Sequence, residues 1–418
     1  MPSVKSVVVL GAGMVGTGTA LALQAHGCSV VLLDRAVPGG ETSYGNAGII
    51  QGEACEPYSM PRNIKALCRI ALKHDNSVDW DIKGLWRSAP SLVSYWRHSA
   101  PAKQPGIGQE YSTLTRRATR DHAIWIESSG SESLVRREGY RVVFRDHASF
   151  ETQVRNAERM RDLYGIGFEA EDSGALAKAE PALRQPLEGA IHWHDAWTCT
   201  DPGALVLAYS RLFEQQGGEL LRSELIGLEQ AGAAWKVRTS AGTLDTANVV
   251  IALGPWSPQA LAPLGYKVAM VPKRGYHMEF DYSVDAGRLR LNLPVIDAAL
   301  AAVYSPMRKG LRIATGADLS ATSKGLPRQL RRAETAARKL LEIGEPNKSS
   351  FWTGVRPCMP DMMPVVGPAP RHRGLWFNFG HGHQGFTLGP TTGQVLAEAM
   401  SCGAARTIQA LAPSRLFR

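Results

Sequence analysis

Hydrophobic residues near the start of the chain form two short apolar runs on either side of a glycine-rich turn. The first lies in "VVVLGAGMVGTGTALALQA" and the second is "CSVVLLD". An apolar run, a glycine turn, an apolar helix and a second apolar run predict a strand–helix–strand unit over residues 4–34. The first run also resembles a signal peptide, because a lysine precedes it and small residues end it. The second strand follows at the spacing of a βαβ unit, which favours a strand–helix–strand unit over a signal peptide.

Further along the chain the pattern alternates between helical and strand periods. It predicts helices in residues 62–99, in residues 203–218 and in the segments "LTRRATRDHAIWIESS", "ETQVRNAERMRDLYG" and "PRQLRRAETAARKLLEIG". It predicts strands in "YRVVFR", "VAMVPKRGYHMEF" and "LRIATGADL". The short alternating pieces in residues 219–251 predict a small antiparallel sheet that returns to a buried parallel strand. A final helix is predicted at "QVLAEAM", after the glycine-rich residues 381–393.

Length and composition indicate a globular protein with two domains. The chain has 418 residues, 44% of them hydrophobic and 20% charged, and a chain of this length usually exceeds one hydrophobic core. The net charge of +9 comes from scattered basic pairs, so we predict a solvated basic surface and no nucleic-acid partner. Six cysteines without a CxxC pair predict no metal site and a reducing cytoplasm. We expect no membrane-spanning segment, although peripheral membrane contact is possible.

The turn after the first strand carries the spacing G-x-G-x-x-G. Gly11 allows the tight turn, Gly13 lets the backbone approach a pyrophosphate, and Gly16 lets helix and strand pack closely. Asp34 ends the next strand, where its carboxylate can accept hydrogen bonds from ribose hydroxyls. This context predicts a dinucleotide site at the start of the first helix. The turn alone does not distinguish NAD from FAD.

Several further segments resemble one family. They are "SYGNAGII", "DPGAL", "VVIALGPWS", "GVRPCMPDMMPVVG" and "GHGHQGFTLGPTTG", in this order after "GAGMVG". Together they resemble the D-amino-acid dehydrogenase group of the FAD-dependent D-amino-acid oxidase superfamily, over nearly the whole chain. The resemblance implies an α/β fold (α+β overall). A Rossmann-type FAD-binding domain of residues 1–95, 196–270 and 350–418 would be interleaved with an antiparallel-sheet substrate domain of residues 96–195 and 271–349.

The resemblance also implies noncovalent FAD, because Cys358 lies outside the motif in which some relatives tether flavin. The late glycine loop would reach back to the flavin, and the helix after it would direct its positive end at the ring. His381 and His383 would pack near the flavin or act as bases, and the first role is favoured. Beyond Gly11, Gly13, Gly16 and Asp34, the predicted cofactor contacts are Met14, Val15, Arg35, Ser43, Asn46, Ala47, Gly48, Ala252, Gly254, Trp256, Gly382, His383, Gln384, Gly385 and Thr387.

Arg356 in "GVRPC" resembles the family arginine that binds the substrate carboxylate. A guanidinium matches a carboxylate in a two-pronged geometry. The alternative is a structural ion pair with an acid such as Asp361. Tyr276 resembles a family position near the substrate, and Tyr304 is a second candidate. Each would cap the carboxylate or shape the pocket. An ordinary half-buried tyrosine is the alternative for both.

The resulting hypothesis is an FAD-dependent oxidation of a D-amino acid. A neutral amine would expel a hydride from Cα to the flavin, and water would hydrolyse the imine to a 2-oxo acid. Alternatives are a secondary or cyclic amine acid (D-proline, D-hydroxyproline or sarcosine), a flavin-binding electron-relay subunit without its own substrate, and an NAD-only dehydrogenase. The expected partners are the amino-acid substrate and an electron acceptor, which would be a quinone, a partner protein or oxygen.

Overall fold

The computed structural model describes residues 5–281, 290–322, 325–402 and 409–417. Its strands form four sheets. Among the described residues, none of the helices is both long and apolar enough to cross a membrane.

A mainly parallel sheet contains the first predicted unit. Its strand order is β10-β2-β1-β14-β22-β21, and only β21 runs antiparallel to its neighbour. The apolar run Val7–Leu10 is buried at every position, as expected for a central strand covered on both faces. The strands are β1 (Ser6–Leu10), β2 (Ser29–Asp34), β10 (Glu219–Arg222), β14 (Asn248–Ile251), β21 (Val365–Pro368) and β22 (Leu375–Phe379).

A larger, mainly antiparallel sheet forms the second half of the molecule. Its order is β4-β19-β15-β18-β17-β16-β6-β8-β7, and β20 pairs with β15. Two of its pairings, β16 with β6 and β19 with β4, are parallel. The strands are β4 (Val78–Asp79), β6 (Tyr140–Phe144), β7 (Phe168–Asp172), β8 (Gly189–Trp193), β15 (Val271–Phe280), β16 (Val295–Asp297), β17 (Ala302–Met307), β18 (Gly310–Thr315), β19 (Ala317–Asp318) and β20 (Pro346–Cys358).

Two three-stranded antiparallel sheets complete the strands. One is the small sheet predicted from the alternating pieces after residue 219, and it leads into the buried strand β14 as expected. The first piece of that segment instead forms β10, which extends the parallel sheet. The strands are β11 (Leu225–Ala231), β12 (Ala234–Thr239) and β13 (Gly242–Thr246) in one sheet, and β3 (Ile49–Gln51), β9 (Ala196–Cys199) and β5 (Val135–Arg136) in the other.

Ten α-helices lie in the described part of the chain. The largest apolar core joins the parallel sheet to four of them, α1, α4, α7 and α10. The helices are α1 (Met14–Ala25), α2 (Ile64–Ala71), α3 (Ile82–His98), α4 (Gln104–Ser128), α5 (His147–Tyr164), α6 (Ser173–Ala179), α7 (Pro202–Gln215), α8 (Ser257–Leu261), α9 (Arg328–Leu340) and α10 (Gly385–Cys402).

The last helix begins earlier than the sequence predicted. Gly389 and Gly393 lie inside α10, where interior glycines are normally unfavourable. A Cβ at Gly389 would come within 2.8 Å of the Met14 carbonyl oxygen, and one at Gly393 within 2.7 Å of the Gly18 carbonyl oxygen. The glycines therefore let α10 pack directly against α1. This packing, which local propensity does not encode, explains why the helix extends through the glycine-rich segment.

The structure departs from the predicted domain bounds in three places. Helix α4, assigned to the substrate domain, packs its buried Tyr111 and Leu114 in the core of the parallel sheet. Conversely, most of β20 was assigned to the FAD-binding domain, yet the strand pairs with β15 in the second sheet. Strand β4 also belongs to that sheet. Long-range pairing decides these placements, so local sequence patterns did not indicate them.

Candidate active site

A cavity of about 1640 Å³ lies between the two large sheets. Its wall includes residues at or after the carboxyl ends of four parallel strands, which are Gly11, Asp34, Ala252 and Phe379. Ligands of open α/β sheets bind at this edge. The opposite wall is built from the second sheet, including residues of β15 and β20. The cavity is large enough for a dinucleotide and a small substrate together.

At the glycine turn, the cavity wall consists of backbone without side chains. Gly11 has a φ of +103°, and a Cβ there would lie 2.5 Å from the Ala252 carbonyl oxygen. Gly13 lines the cavity and is the N-cap residue of α1, which has no side-chain cap. The first amides of a helix lack intrahelical partners. The Met14 amide donates to Ser43 Oγ at 3.0 Å, and the turn is therefore suited to an anionic pyrophosphate.

Asp34 is fixed by backbone amides on both carboxylate oxygens. Ala12 N donates to Oδ2 at 2.6 Å and Ala36 N donates to Oδ1 at 2.9 Å. Each oxygen has a second lone pair, so the carboxylate can still accept hydrogen bonds from a ribose. The guanidinium of Arg35 lies 4.8 Å above the ring of Trp256, and both side chains line the cavity.

The "SYGNAGII" loop is held from behind by the second sheet. Arg312 Nη1 donates to the carbonyls of Tyr44 (2.9 Å) and Asn46 (2.7 Å), and its Nη2 forms a buried ion pair with Glu279 at 2.7 Å. Ser305 Oγ donates to the Ala47 carbonyl at 2.7 Å. Asn46 and Ala47 thereby line the cavity at fixed positions.

The late glycine loop reaches the same cavity. Gly382, His383 and Gly385 line it, and Gly385 begins α10. His381 Nε2 and Thr392 Oγ1 are hydrogen-bonded at 2.9 Å. Burial lowers the pKa of both His381 and His383 to about 3. Both rings are therefore neutral near pH 7 and are weak proton acceptors, which supports the packing role over the role of a base.

Five predicted site residues do not line the cavity. On β17, Val303 faces the cavity and the next residue, Tyr304, faces the core beside α9, because successive strand residues point to opposite faces. The hydroxyl of Tyr304 donates to the Ala333 carbonyl at 3.4 Å. Tyr304 therefore lies in the core behind the cavity wall, which fits the alternative of an ordinary buried tyrosine.

Local packing places the other four predicted residues behind the cavity wall. A Cβ at Gly16 would overlap the Gly11 carbonyl, and one at Gly48 would overlap the Cys199 carbonyl. Thr387 Oγ1 accepts from the Gln51 amide at 3.2 Å. Gln384 Nε2 donates to Gln51 Oε1 at 3.0 Å. These residues support the residues that line the cavity and do not face it themselves.

The remaining predicted residues line the cavity together. Tyr276 does so, and its hydroxyl donates to the Asp318 carboxylate. Cys358 also lies in the wall. The cofactor-site residues in the wall are Gly11, Gly13, Met14, Val15, Asp34, Arg35, Ser43, Asn46, Ala47, Ala252, Gly254, Trp256, Gly382, His383 and Gly385.

Arg356 is the principal cation of the second-sheet wall. Its guanidinium donates to the carbonyls of Gly316 (2.5 Å) and Thr315 (3.1 Å). No carboxylate in the described ranges forms an ion pair with it, and Asp361 instead pairs with Arg415 at 2.7 Å. Burial lowers the pKa of Arg356. The guanidinium keeps unused N–H donors, so the geometry fits an anion arriving from outside the chain.

Sequence reasoning missed several residues of the wall. Lys273 lies opposite Arg356 in the β15–β20 register, with its Nζ 4.2 Å from the Tyr95 ring centre. Glu53, two residues after β3, is a buried carboxylate in the wall. The segment Ser223–Leu228 also lines the cavity. An acid two residues after the "SYGNAGIIQ" segment was the one available signal for Glu53.

Outside the cavity, three possible metal-ligating side chains meet. Atoms of Glu169, His192 and His194 lie within 4.8 Å of one another. Pairing of β7 with β8 places Glu169 opposite His192. The sequence has no metal-binding spacing here, so this cluster was not predicted.

The wall fits FAD on several independent features. The side-chain-free turn at Gly13, the start of α1 and the anchored Asp34 match an ADP moiety. The start of α10 provides a second helix terminus at the other glycine loop. The positive ends of helices favour negative charge, which a reduced flavin carries.

Comparison with known proteins agrees with this geometry. The family model described as FAD dependent oxidoreductase (DAO) matches residues 6–399. A D-amino acid dehydrogenase from Cereibacter sphaeroides is 31% identical, covering 94% of this chain and 91% of the relative. A D-amino-acid oxidase from Bradyrhizobium diazoefficiens is 27% identical, with 96% of each chain covered.

Solved structures show the same fold at low sequence identity. An L-proline dehydrogenase from P. horikoshii superposes with a TM-score of 0.71 at 17% identity, covering 99% of this chain and 98% of the other. A glycine oxidase from Bacillus cereus gives a TM-score of 0.68 at 18% identity, with 95% of each chain covered. From the match over residues 6–399, this chain belongs to the DAO family of FAD-dependent oxidoreductases.

Proposed function

We propose that the protein oxidises a D-amino acid to the imino acid, which water hydrolyses to the 2-oxo acid. The curated relatives that cover most of the chain are named D-amino acid dehydrogenases or D-amino-acid oxidase, which supports this substrate class. Bound FAD supplies the hydride acceptor. The chain's own residues bind the substrate, orient its Cα–H bond and exclude water.

The observation that carries this proposal is the unpaired guanidinium of Arg356 in the cavity. A carboxylate would complete the charge and the hydrogen bonds that no acid of the described residues supplies. An electron-relay subunit has no need for such a group. Secondary and cyclic amine acids carry the same carboxylate, so they belong in any substrate screen.

We assign noncovalent FAD to the parallel-sheet half and the substrate to the second sheet. Asp34 would hold the adenosine ribose, and Gly13 to Val15 with Ser43 would hold the pyrophosphate. Asn46, Ala47 and the loop at residues 382–385 would contact the flavin. Their common placement in one cavity wall supports this division.

Replacement of Arg356 tests the carboxylate assignment. Arg356→Ala removes a charge-assisted pair from a partly dry site, which should cost about 3 kcal/mol. The flavin-reduction rate constant divided by the substrate dissociation constant should fall roughly a hundredfold. Arg356→Lys keeps the charge without the planar fork and should recover part of that loss. FAD content should be unchanged in both variants.

A substrate amide is the control, since it lacks the carboxylate charge. Wild type should process the amide poorly, and Arg356→Ala should process it no worse. Equal damage to acid and amide substrates, or loss of FAD, would show that the arginine has a structural role.

We further propose a cytoplasmic location with peripheral membrane contact through α2 and α3. The apolar side chains of Ile64, Leu72, Ile82, Trp86 and Val93 are between 51% and 76% exposed, and α2 buries no residue. Exposed basic side chains flank these apolar residues. The basic residues are Arg62, Lys65, Arg69, Lys83, Arg87 and Arg97. An apolar face with basic flanks suits the interface of an anionic membrane.

The same segment borders the cavity, since Leu67 and Ile70 line it. A quinone held in the membrane would therefore meet an apolar edge of the site, which supports a quinone as the electron acceptor over a water-soluble partner protein. The five cysteines with described side chains are free thiols, which agrees with a reducing compartment.

Trp86→Asp tests this surface, because it places a charge where an apolar side chain would enter the lipid interface. Binding to vesicles containing anionic lipid should fall about tenfold or more, measured by co-sedimentation. Leu163→Asp is the matched control, since Leu163 is 60% exposed on α5. Equal binding of both variants and wild type would exclude the proposed surface.

A further inference from the structure

The cavity contains a buried carboxylate that the proposed function does not use. Glu53 is 3% exposed and lines the cavity. Its Oε1 accepts hydrogen bonds from Tyr140 Oη at 2.9 Å and from Gln51 Nε2 at 3.0 Å. Its Oε2 is buried and has no hydrogen-bond partner among the described residues. A buried polar atom left unpaired is costly, so this oxygen calls for a partner from outside the chain.

Among the residues that the structure describes, no cation compensates the charge of Glu53. Within the part of the chain that the structure describes, no Lys, Arg or His forms an ion pair with it. Burial raises the pKa of Glu53 to about 7, and the negative charge of Asp195 adds to the shift. Asp195 itself pairs with Arg116 at 3.5 Å.

The thiol and the buried phenol beside Glu53 are neutral at pH 7 to 8. Burial raises the pKa of the Cys55 thiol to about 11 and raises the pKa of the Tyr140 hydroxyl. Glu53 is therefore the group of this cluster that gains or loses a proton near neutral pH. The ionised fraction of Glu53 therefore rises with pH through about 7.

Glu53 and Arg356 both lie beside the late glycine loop. Gln51, which donates to Glu53, accepts a hydrogen bond from Gln384 Nε2 at 3.0 Å. The amide of Gly382 donates to the carbonyl of Pro357, the residue after Arg356, at 3.0 Å. The two charges have opposite sign, and neither has a charged partner in the described protein. They match the two ends of an amino-acid zwitterion.

We propose that Glu53 Oε2 accepts a proton from the α-ammonium group of the substrate while Arg356 holds the substrate carboxylate. This inference rests on the proposed function and adds a catalytic residue to it. Tyr140 and Gln51 occupy Oε1 and leave Oε2 as the free acceptor, so both are positioning residues.

The proton transfer balances in atoms and charge. One N–H bond of the ammonium group breaks and one O–H bond forms at Oε2. The ammonium loses its positive charge and Glu53 loses its negative charge, so a neutral amine and a neutral carboxyl remain. Neutralising both groups is favoured in a site with little water, where isolated charges are penalised. The amine retains the lone pair that oxidation of the Cα–H bond requires.

Infrared difference spectroscopy on the FAD-loaded enzyme at pH 8 tests the transfer without turnover. The probe is 2-aminoisobutyrate, which has the ammonium and carboxylate groups but no Cα–H bond to oxidise. Saturation is followed by the shift in flavin absorption. Wild type should gain the C=O stretch of a protonated carboxyl group on binding. Glu53→Gln should not gain it, and isobutyrate, which has no amine, should not elicit it in wild type.

The matched control is Glu56→Gln. Glu56 also lines the cavity, but its carboxylate is paired with Arg159 at 2.7 and 2.8 Å. This variant should show the wild-type band. No new band in wild type at saturation, or the same band in Glu53→Gln, would overturn the inference.

A pH profile of flavin reduction gives a second readout. In wild type, the rate constant divided by the dissociation constant should rise with pH through about 7 and then level off, since Glu53 must be ionised to accept the proton. Glu53→Gln should lose this step and be roughly a hundredfold slower at pH 8. An unchanged profile would contradict the inference. Failure of every D-amino acid to reduce wild-type flavin would instead contradict the proposed function.

Discussion

Two glycines of the first turn have separable roles, although the motif presents them together. Gly11 has a positive φ and lies against the Ala252 carbonyl, so a side chain there strains the fold itself. Gly13 has a φ of −74°, which any residue adopts, and the nearest atom to its missing Cβ is Ser43 Oγ at 3.3 Å. Gly13 therefore preserves space for the ligand rather than a backbone conformation.

Gly13→Leu should consequently lose FAD while the apoprotein stays folded. The leucine side chain would occupy the space assigned to the pyrophosphate, so we expect the flavin-to-protein ratio to fall at least tenfold. Circular dichroism should show unchanged secondary structure. Full FAD occupancy in this variant would mean that the turn does not hold the cofactor.

The motifs of the sequence bring several predicted residues to one cavity. Asp34, Ser43 and Arg356 all line the cavity. The sequence could not place Tyr304, because which face of a strand reaches the cavity depends on the pairing of β17 with its neighbours. It missed Glu53 and Lys273 for a related reason, since a lone charged residue gives no signal until distant strands place it in a wall.

At the scale of elements, the contact between α1 and α10 fixes both helix starts at one cavity. Gly18 of α1 and Gly389 of α10 approach so closely that a Cβ at Gly18 would lie 3.0 Å from the Gly389 backbone. The first turns of both helices contribute to the cavity wall. The late glycine segment thus serves two purposes, because its first part lines the cavity and its second part packs against α1.

Gly389→Val should therefore separate the two helices. Overpacking of a filled core typically destabilises by about 1 to 3 kcal/mol, and we expect a comparable fall in the free energy of unfolding together with weaker FAD binding. Gly106→Val is the control, since Gly106 is an exposed glycine of α4 with no atom within 4 Å of its missing Cβ. That change should stay within about 0.5 kcal/mol of wild type.

Chemical denaturation and flavin titration measure both quantities. If Gly389→Val matches Gly106→Val in stability and in FAD affinity, the glycine contact does not position α10. Periodicity identified most helices and strands but placed the start of α10 too late, because the benefit of an interior glycine comes from a helix more than 350 residues away in the chain.

At the scale of the whole molecule, the two large sheets supply different parts of the chemistry. The parallel sheet contributes the glycine turn and Asp34, and the second sheet contributes Arg356 and Lys273. The order of motifs along the chain predicted this two-part plan. The chain nevertheless alternates between the halves through α4, β4 and β20, and these crossings depend on pairing that local patterns do not reveal.

Anaerobic mixing of the purified holoenzyme with matched D- and L-amino acids tests the central claim most directly. The panel should include cyclic amine acids, and the visible absorption of oxidised flavin is followed over time. The account predicts that at least one D-amino acid or cyclic amine acid bleaches the flavin and yields one 2-oxo acid or cyclic imine per flavin, while the L-enantiomers of the primary amino acids do not. Two results would contradict this account. One is that dithionite reduces the flavin but no amino acid of the panel does, and the other is that both enantiomers bleach the flavin equally.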